Sequence, residues 1–470
     1  MRGIISAAGY VPHNRLDRAK ITEFFGSGGG KGTRSVASYD QVTTTLAVEA
    51  GRYALAAAPD GCSPESLWFA TAVPTYLDKT NATIVHAALR LDSSAAAYDL
   101  GGGVRSGIGA LRAALASSDP AVLVTSADIR VGQPTGGDEA AGGDASAALL
   151  VGDDSAGPVI AEYLGAGSAT REFLDTWRVP GESRTRHWEE RFAETQFGPL
   201  AEPAWNEALK VAGLSPEQVD VLIVAGSHAR AVKAAARKLG TGVGTVADDY
   251  SATVGNAGTA EAGLRLAGAL EAATPGQVIA LVGLADGVDV LLLRTTDAIA
   301  DWQPARSISE QIASGNADLP YAKFLSWRGQ VTVEPPRRPE PARMSASAAG
   351  RSYDWKYGFV GSRDRESGAV HLPPARVSFV GGNVDDMEPA PMADLQGTVL
   401  TFTVDKLVYS PSPPVVFAVV NFDGGGRLPV ELTDVAADGV GIGDKVEMTF
   451  RRLNTSDGIA NYFWKARPVR

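Results

Sequence analysis

Up to about residue 296, short runs of apolar residues alternate with longer alanine-rich stretches of helical spacing. The apolar runs 66–72, 121–127, 145–151, 219–225, 277–283 and 288–294 predict strands, and the opening MRGIISAAGYVP reads as a first strand. The stretches 43–57, 81–89, 106–116, 202–212, 229–239 and 258–272 predict helices. Alternation of β and α on this scale predicts a layered α/β domain. The pattern also runs twice: each half holds a Gly/Ala-rich turn into a helix, an apolar strand, and a second strand after a turn, with a junction near 156–158.

Beyond residue 296 the texture changes. Residues 301–324 have room for helices and a hydrophobic joint, and 334–343 (EPPRRPEPAR) is a proline- and charge-rich linker. From residue 353 onward the helix signal fades. The runs 397–404, 415–422 and 445–451 are β-like, with turns at 383–386, 423–426 and 457–458, and together they predict a small β-barrel.

Composition narrows the class. A chain of 470 residues, 44% hydrophobic and 21% charged, has the make-up of a soluble globular protein with room for two or three domains. A net charge of −11 argues against nucleic-acid and anionic-membrane partners. No apolar run reaches transmembrane length, and the N-terminus lacks the apolar core of a signal peptide. With one cysteine, Cys62, an intramolecular disulfide and a cysteine-rich zinc site are both excluded, and a cytoplasmic location is expected.

Several stretches resemble, in order, the 3-hydroxy-3-methylglutaryl-CoA synthase branch of the thiolase superfamily. They are RSVASYDQVTTTLAVEA (34–50), TAVPTYLDKTNATIV (71–85), DLGGGVRSGIGAL (99–111), SHARAVKAAARKL (227–239) and VGNAGTAEAGLRLAGAL (254–270). The ending NYFWKARPVR and the turn GVGIGDKVEMTF resemble the zinc-ribbon and OB-fold proteins that accompany thiolase-like enzymes. The resemblance implies a duplicated, thiolase-like layered (αβαβα) domain at 1–297, in halves 1–156 and 157–297, then a C-terminal β-barrel of the OB-fold. A connecting segment at 298–345, a degenerate ribbon at 346–385 and the OB-fold at 386–470 complete the expected organisation. It also implies a homodimer, with the run 121–126 as a candidate pairing strand.

What the resemblance implies for chemistry turns on two departures. Val104 stands where the family carries its nucleophilic cysteine, and a valine cannot form an acyl-enzyme. Ala72 stands where the synthases carry the glutamate acid/base, and no glutamate lies within 69–85. Asp78 and Tyr76 are the carboxylate and phenol nearest that place, and Tyr250 is a third proton carrier to consider. Asp78 with Lys79 reads more readily as a solvated or salt-bridged turn. His228 and Asn256 are retained where the family polarises its thioester carbonyl. A histidine at a helix start and a turn asparagine are the equally open structural readings. Gly103, Arg105 and Gly255 are expected to line the substrate, with Arg34 and Lys31 near CoA phosphates. Ser106, two residues past Val104, faces another side of its helix. Residues 171–197 read as an aromatic, charged cap carrying Trp177 and Trp188, and 138–144 (DEAAGGD) adds carboxylates. In the ribbon, Asp364, Ser367, Ser378 and Gly381 stand at the cysteine places, so no zinc is expected, and no metal elsewhere.

These features favour a cysteine-independent enzyme acting on an acyl-CoA thioester by aldol or retro-aldol carbon–carbon chemistry. Coenzyme A enters as part of the substrate and no cofactor is bound. Two alternatives stay open: an inactive acyl-CoA-binding or scaffolding protein, and an acyltransferase that moves its acyl group directly.

Overall fold

The computed structural model describes residues 1–470, the side chain of Glu190 excepted. The chain divides into two compact units. The first comprises Met1–Ala37, Leu46–Thr83 and Asp92–Gln330; the second comprises Ser38–Thr45, Ile84–Leu91 and Val331–Arg470.

The first unit is built on a ten-stranded mixed sheet. One half runs in the spatial order Ala96–Gly101, Ser66–Thr71, Ala121–Asp128, Ala145–Asp153, Arg2–Tyr10. The other runs Thr245–Val246, Val221–Gly226, Val278–Leu284, Val288–Thr295, Ala161–Ala169. Counted along the chain, both orders read third, second, fourth, fifth, first. In both, the second strand is parallel to its neighbours and the other pairs are antiparallel. The repeat read in the sequence is therefore a duplicated topology. The halves join through a short antiparallel contact, Gly3 opposite Glu162 and Ile4 opposite Ala161.

Helices Arg105–Ala116 and Glu261–Glu271 share one core with both halves: Ile108, Leu111, Leu264 and Leu266 bury against Val122 and Leu149 on one side and Ile223 and Leu281 on the other. Phe197 and Trp205 of Glu190–Ala212, with Leu239 of Ala229–Leu239, cover the far side of the second half at Leu222 and Val290. On the first half, the hydroxyls of Ser6 and Ser146 donate to the carbonyls of Ala54 and Leu46, 2.7 and 2.6 Å away, fastening an outer helix. The result is the five-layered α/β arrangement expected from the sequence.

The central helices come close because small residues allow it. A Cβ built on Gly107 would lie 2.0 Å from the Thr259 carbonyl oxygen, a backbone atom that cannot swing aside. Gly107→Ala is expected to cost about 1–3 kcal/mol through overpacking, read as a lowered urea midpoint.

Three expectations need correction. The strand Ala121–Asp128 is hydrogen-bonded on both sides and buried throughout, so it cannot pair with another subunit. The outermost strand of that half is Ala96–Gly101, partly exposed. The helix expected at 202–212 begins much earlier, at Glu190, and runs through Pro199 and Pro203. Prolines punctuate helices in a sequence, but packing of Ala193, Phe197, Leu200 and Ala201 carries this one across them. Short helices also occupy Ala346–Arg351 and Tyr353–Lys356.

The second unit holds a closed barrel of Gln396–Asp405, Val415–Phe422, Arg427–Leu432, Ile459–Pro468 and Lys445–Ser456, in that spatial order. Alternate residues point inward, as in Val415–Phe422. Aromatic rings fill the interior: Phe450 stacks on Tyr462 at 5.5 Å, and the Trp464 indole N–H donates to the Tyr357 carbonyl at 2.7 Å. A three-stranded sheet, Val370–His371, Val360–Asp364 and Met387–Pro391, accompanies the barrel. Here three of the four ribbon positions carry a hydrogen-bonded cluster. Asp364 accepts from Ser367, from Ser378 and from the Asn383 amide, the last at 2.9 Å. These bonds hold its carboxyl far below the usual range. Gly381 offers no side chain. A carboxylate already saturated with donors and two hydroxyls do not fit tetrahedral zinc. Among the described residues no group of three His, Cys, Asp or Glu is arranged to hold a metal, and no helix is long and apolar enough to cross a membrane.

Candidate functional site

The first unit contains a cavity of about 160 Å³. It opens where the strand Ala96–Gly101 passes through glycines into the helix Arg105–Ala116. Gly102 takes φ +107°, a conformation that suits glycine, and turns the chain so that Val104 stands at the helix N-terminus. Gly103, Val104, Ala72 and His228 all line the cavity. The Ala72 N–H donates to Asp128 at 2.9 Å and its carbonyl accepts from Arg178. Asp128 is itself buried and also takes bonds from Thr71 and the Thr259 N–H.

His228 caps the helix Ala229–Leu239, its Nδ1 accepting from the Ala231 N–H at 3.3 Å. A nitrogen that accepts carries no proton, so in the neutral ring the proton sits on Nε2. Nε2 is buried and has no partner among the described residues. The imidazole that carries this N–H lines the cavity, as does Val104 at the positive end of its helix.

Other expected residues lie elsewhere. Asn256 is not among the lining residues: its amide donates to the Gly226 carbonyl at 2.8 Å and accepts from the Gly258 N–H at 3.1 Å, tying two loops together. Gly255 takes φ +88°, where a Cβ would meet the Gly142 carbonyl at 2.5 Å, and serves backbone packing. Tyr76 is held through its backbone by Asn81, and Asp78 is exposed; neither lines the cavity. Arg105 is committed to Asp289 at 2.8 Å and to Ser168 and Thr170. Arg34 is fully buried against Asp144, and Lys31 is exposed. Ser106 donates to the Gly101 carbonyl. The Tyr250 hydroxyl abuts Gly268 and is pushed up to about 12, chiefly by burial. Cys62 lies in a turn away from the cavity, and no cysteine is among the lining residues.

Five more charged or titratable residues line the cavity: Asp175, Arg178, His187, Arg130 and Asp286. Asp175 and His187 come from the expected cap, whose short hairpin pairs Thr176–Trp177 with Arg186–His187. Trp177 lines the cavity, whereas Trp188 packs on it at 6.5 Å and faces outward. The His187 Nε2 lies 2.5 Å from Asp138, and that bond raises the imidazole above its ordinary range. Burial raises the Asp175 carboxyl, with His228 and His187 opposing. Burial also raises that of Asp286, against Arg105. Asp286 adopts φ +48°, a strained conformation for a non-glycine residue beside the site. Two-residue strands leave no periodic signal, so the sequence marked this segment only as aromatic and charged.

A family model described as the C-terminal OB-fold domain of ChsH2 matches residues 390–451. The chain is similar to the hydroxymethylglutaryl-CoA synthase of Methanosphaera stadtmanae, 26% identical over 358 residues, 71% of this chain and 100% of that one. The Aeropyrum pernix hydroxymethylglutaryl-CoA synthase is also 26% identical, over 70% of this chain and 95% of its own. Among solved structures, an HMG-CoA synthase complexed with CoA superposes with a TM-score of 0.57 at 18% identity, over 69% of this chain and 89% of that one. The 3-oxoacyl-[acyl-carrier-protein] synthase III of Aquifex aeolicus gives 0.52 at 22% identity, over 63% of this chain and all of its own.

Proposed function

From a thiolase-superfamily, hydroxymethylglutaryl-CoA synthase-like domain followed by a C-terminal OB-fold domain, we propose that this chain acts on an acyl-CoA thioester without an acyl-enzyme. The reaction is an aldol or retro-aldol step. The single observation that carries the reading is the unpartnered Nε2 of His228, a residue that lines the same cavity as Val104. An N–H with no protein acceptor matches a thioester oxygen that becomes an enolate oxygen as the reaction proceeds. Val104 leaves nothing to attack the carbonyl, so the thioester stays intact while the neighbouring carbon–carbon bond forms or breaks. A cavity of about 160 Å³ suits the reacting end of a short acyl group, since one of about 150 Å³ holds a benzene-sized molecule.

The test is turnover of 3-hydroxyacyl-CoA thioesters of four to six carbons, followed by aldehyde or ketone release. Removing one carbonyl-polarising donor costs about 10²–10³ in rate, and His228→Ala is expected to lose that much. A panel without turnover, or a variant with unchanged turnover, sinks the reading. The absence of a cysteine from the cavity lining favours a second reading, an acyl-CoA-binding chain without turnover. Calorimetry with acyl-CoA separates the two when paired with the turnover assay. A homodimer joined along Ala96–Gly101 completes the proposal, and light scattering at the mass of a single 48.8 kDa chain counts against it.

A further inference from the structure

We infer that Asp175 is the proton carrier of this cavity, taking up the role for which Ala72 leaves no side chain. The inference rests on the proposed thioester chemistry and names the residue that completes it.

Asp175 is 6% exposed, lines the cavity, and its carboxylate has no hydrogen-bond or ion-pair partner among the described residues. That sets it apart from the buried carboxylates that serve structure. Asp128 takes three donors, and Asp144 takes two arginines and two backbone N–H groups. A carboxylate that the fold gives no donor, on a residue lining a cavity, is a candidate for work on a ligand there.

The backbone holds it in place. The Trp188 N–H donates to the Asp175 carbonyl at 2.8 Å, closing the hairpin that also brings His187 to the cavity. Asp175, His187 and His228 all line this one cavity, and both histidines act on the Asp175 charge. Arg178, three residues beyond Asp175, donates to the Ala72 carbonyl, so the segment that carries Asp175 is tied to the place vacated at Ala72. The other carboxylate of the lining, Asp286, sits by the helix N-terminus, 3.6 Å from where a Cβ on Gly103 would lie.

In the cleavage direction the Asp175 carboxylate accepts the proton of the substrate 3-hydroxyl. The C3–O bond becomes a carbonyl, the C2–C3 bond breaks, and its electron pair passes to the enolate, whose oxygen accepts from the His228 Nε2–H. The protonated Asp175 then returns the proton to C2, releasing the shortened acyl thioester. The reverse of that last step is a partial reaction in its own right: Asp175 removes a C2 proton, exchanges it with solvent, and gives back another.

Exchange of the C2 protons of acetyl-CoA in deuterium oxide, followed by mass spectrometry, isolates this step. A placed general base contributes about 10²–10⁴ in rate, so Asp175→Asn is expected to slow exchange at least about 100-fold. The wild-type rate should rise with pH along a limb displaced above the ordinary carboxylate range by burial, with His228, His187, Arg130, Arg178 and Asp286 as the other charged groups facing the cavity. Asp175→Asn should lose that limb and Asp175→Glu should keep it with part of the rate. Circular dichroism confirms that each variant is folded. If wild-type protein exchanges and Asp175→Asn stays within threefold with the limb intact, or if only Asp286→Asn abolishes exchange, the assignment falls and the thioester reading stands. If wild-type protein neither exchanges acetyl-CoA nor turns over any 3-hydroxyacyl-CoA, both fall.

Discussion

Replacing Asp144 by alanine is expected to destabilise the first unit by about 3–5 kcal/mol, the loss typical of a buried ion pair that forfeits one partner. The Asp144 carboxylate is completely buried and lies between two arginines, Arg34 at 3.3 Å and Arg328 closer still. It also accepts the backbone N–H groups of Ala37 at 2.7 Å and Arg130 at 2.8 Å. Arg34 is equally buried and spends its other donors on the carbonyls of Glu139 and Arg130. Burial already pulls the Arg34 guanidinium down to about 10 against the opposing pull of Asp144. Both guanidinium groups lie over the Phe324 ring, each 5.2 Å from its centre. The truncated side chain would leave two cations over one aromatic ring with no anion between them.

Asp144→Asn keeps the shape but removes the charge and sets an NH2 donor against groups that themselves donate, so most of the loss should remain. Converting all three residues together, Arg34→Met, Asp144→Leu and Arg328→Leu, should recover part of it, because whole buried networks are often replaceable by apolar groups. Recovery should stay incomplete, since two backbone N–H groups lose their acceptor at about 1–3 kcal/mol each. Urea unfolding of the four proteins measures this, and an Asp144→Ala loss below about 1 kcal/mol, the level of an exposed pair, refutes it. The consequence reaches the cavity, because the N–H that Asp144 holds belongs to Arg130, one of its lining residues.

The same contrast between local and distant determinants explains what could be read from the chain. Layer order and duplication were legible because apolar strands and amphipathic helices announce themselves within a dozen residues. The resemblance pointed to Val104, Gly103 and His228, and all three line the cavity because each belongs to a local device, a glycine turn or a helix cap, that survives at low identity. Asn256, Tyr76 and Asp78 sat in the expected segments, but the partners that settle Asn256 and the exposure that settles Asp78 come from how remote chain is packed. Asp175 was hidden for the same reason: its burial depends on a hairpin of two-residue strands whose other side is ten residues away. In the second unit the resemblance to a zinc ribbon pointed to Asp364, Ser367 and Ser378, whereas Asn383, which completes their cluster, stands at no ribbon position.

The second large effect is expected at Asp40, which belongs to the second unit. Its carboxylate is fully buried between Arg451 at 3.1 Å and Lys465 at 3.2 Å, and accepts from the Thr433 hydroxyl at 2.9 Å. Asp40→Ala should cost about 3–5 kcal/mol, because the two cations are less than 2% exposed and cannot reach water. Asp434 still pairs with Arg451 and Glu431 with Lys465, so the loss belongs at the lower end of that range. Acid should act in the same way. Burial alone would raise the Asp40 carboxyl, but Lys465 and Arg451 outweigh it and hold the group far below the ordinary carboxylate range. A carboxyl depressed by folding contributes its full stabilisation above its unfolded value, about pH 4, and loses it progressively as the pH falls toward the folded value. Wild-type barrel stability should therefore drop steeply below about pH 4, whereas Asp40→Asn should start lower and respond less over the same interval. Trp464, buried in the barrel, gives a fluorescence signal to follow this, and parallel acid profiles for the two proteins would refute the assignment.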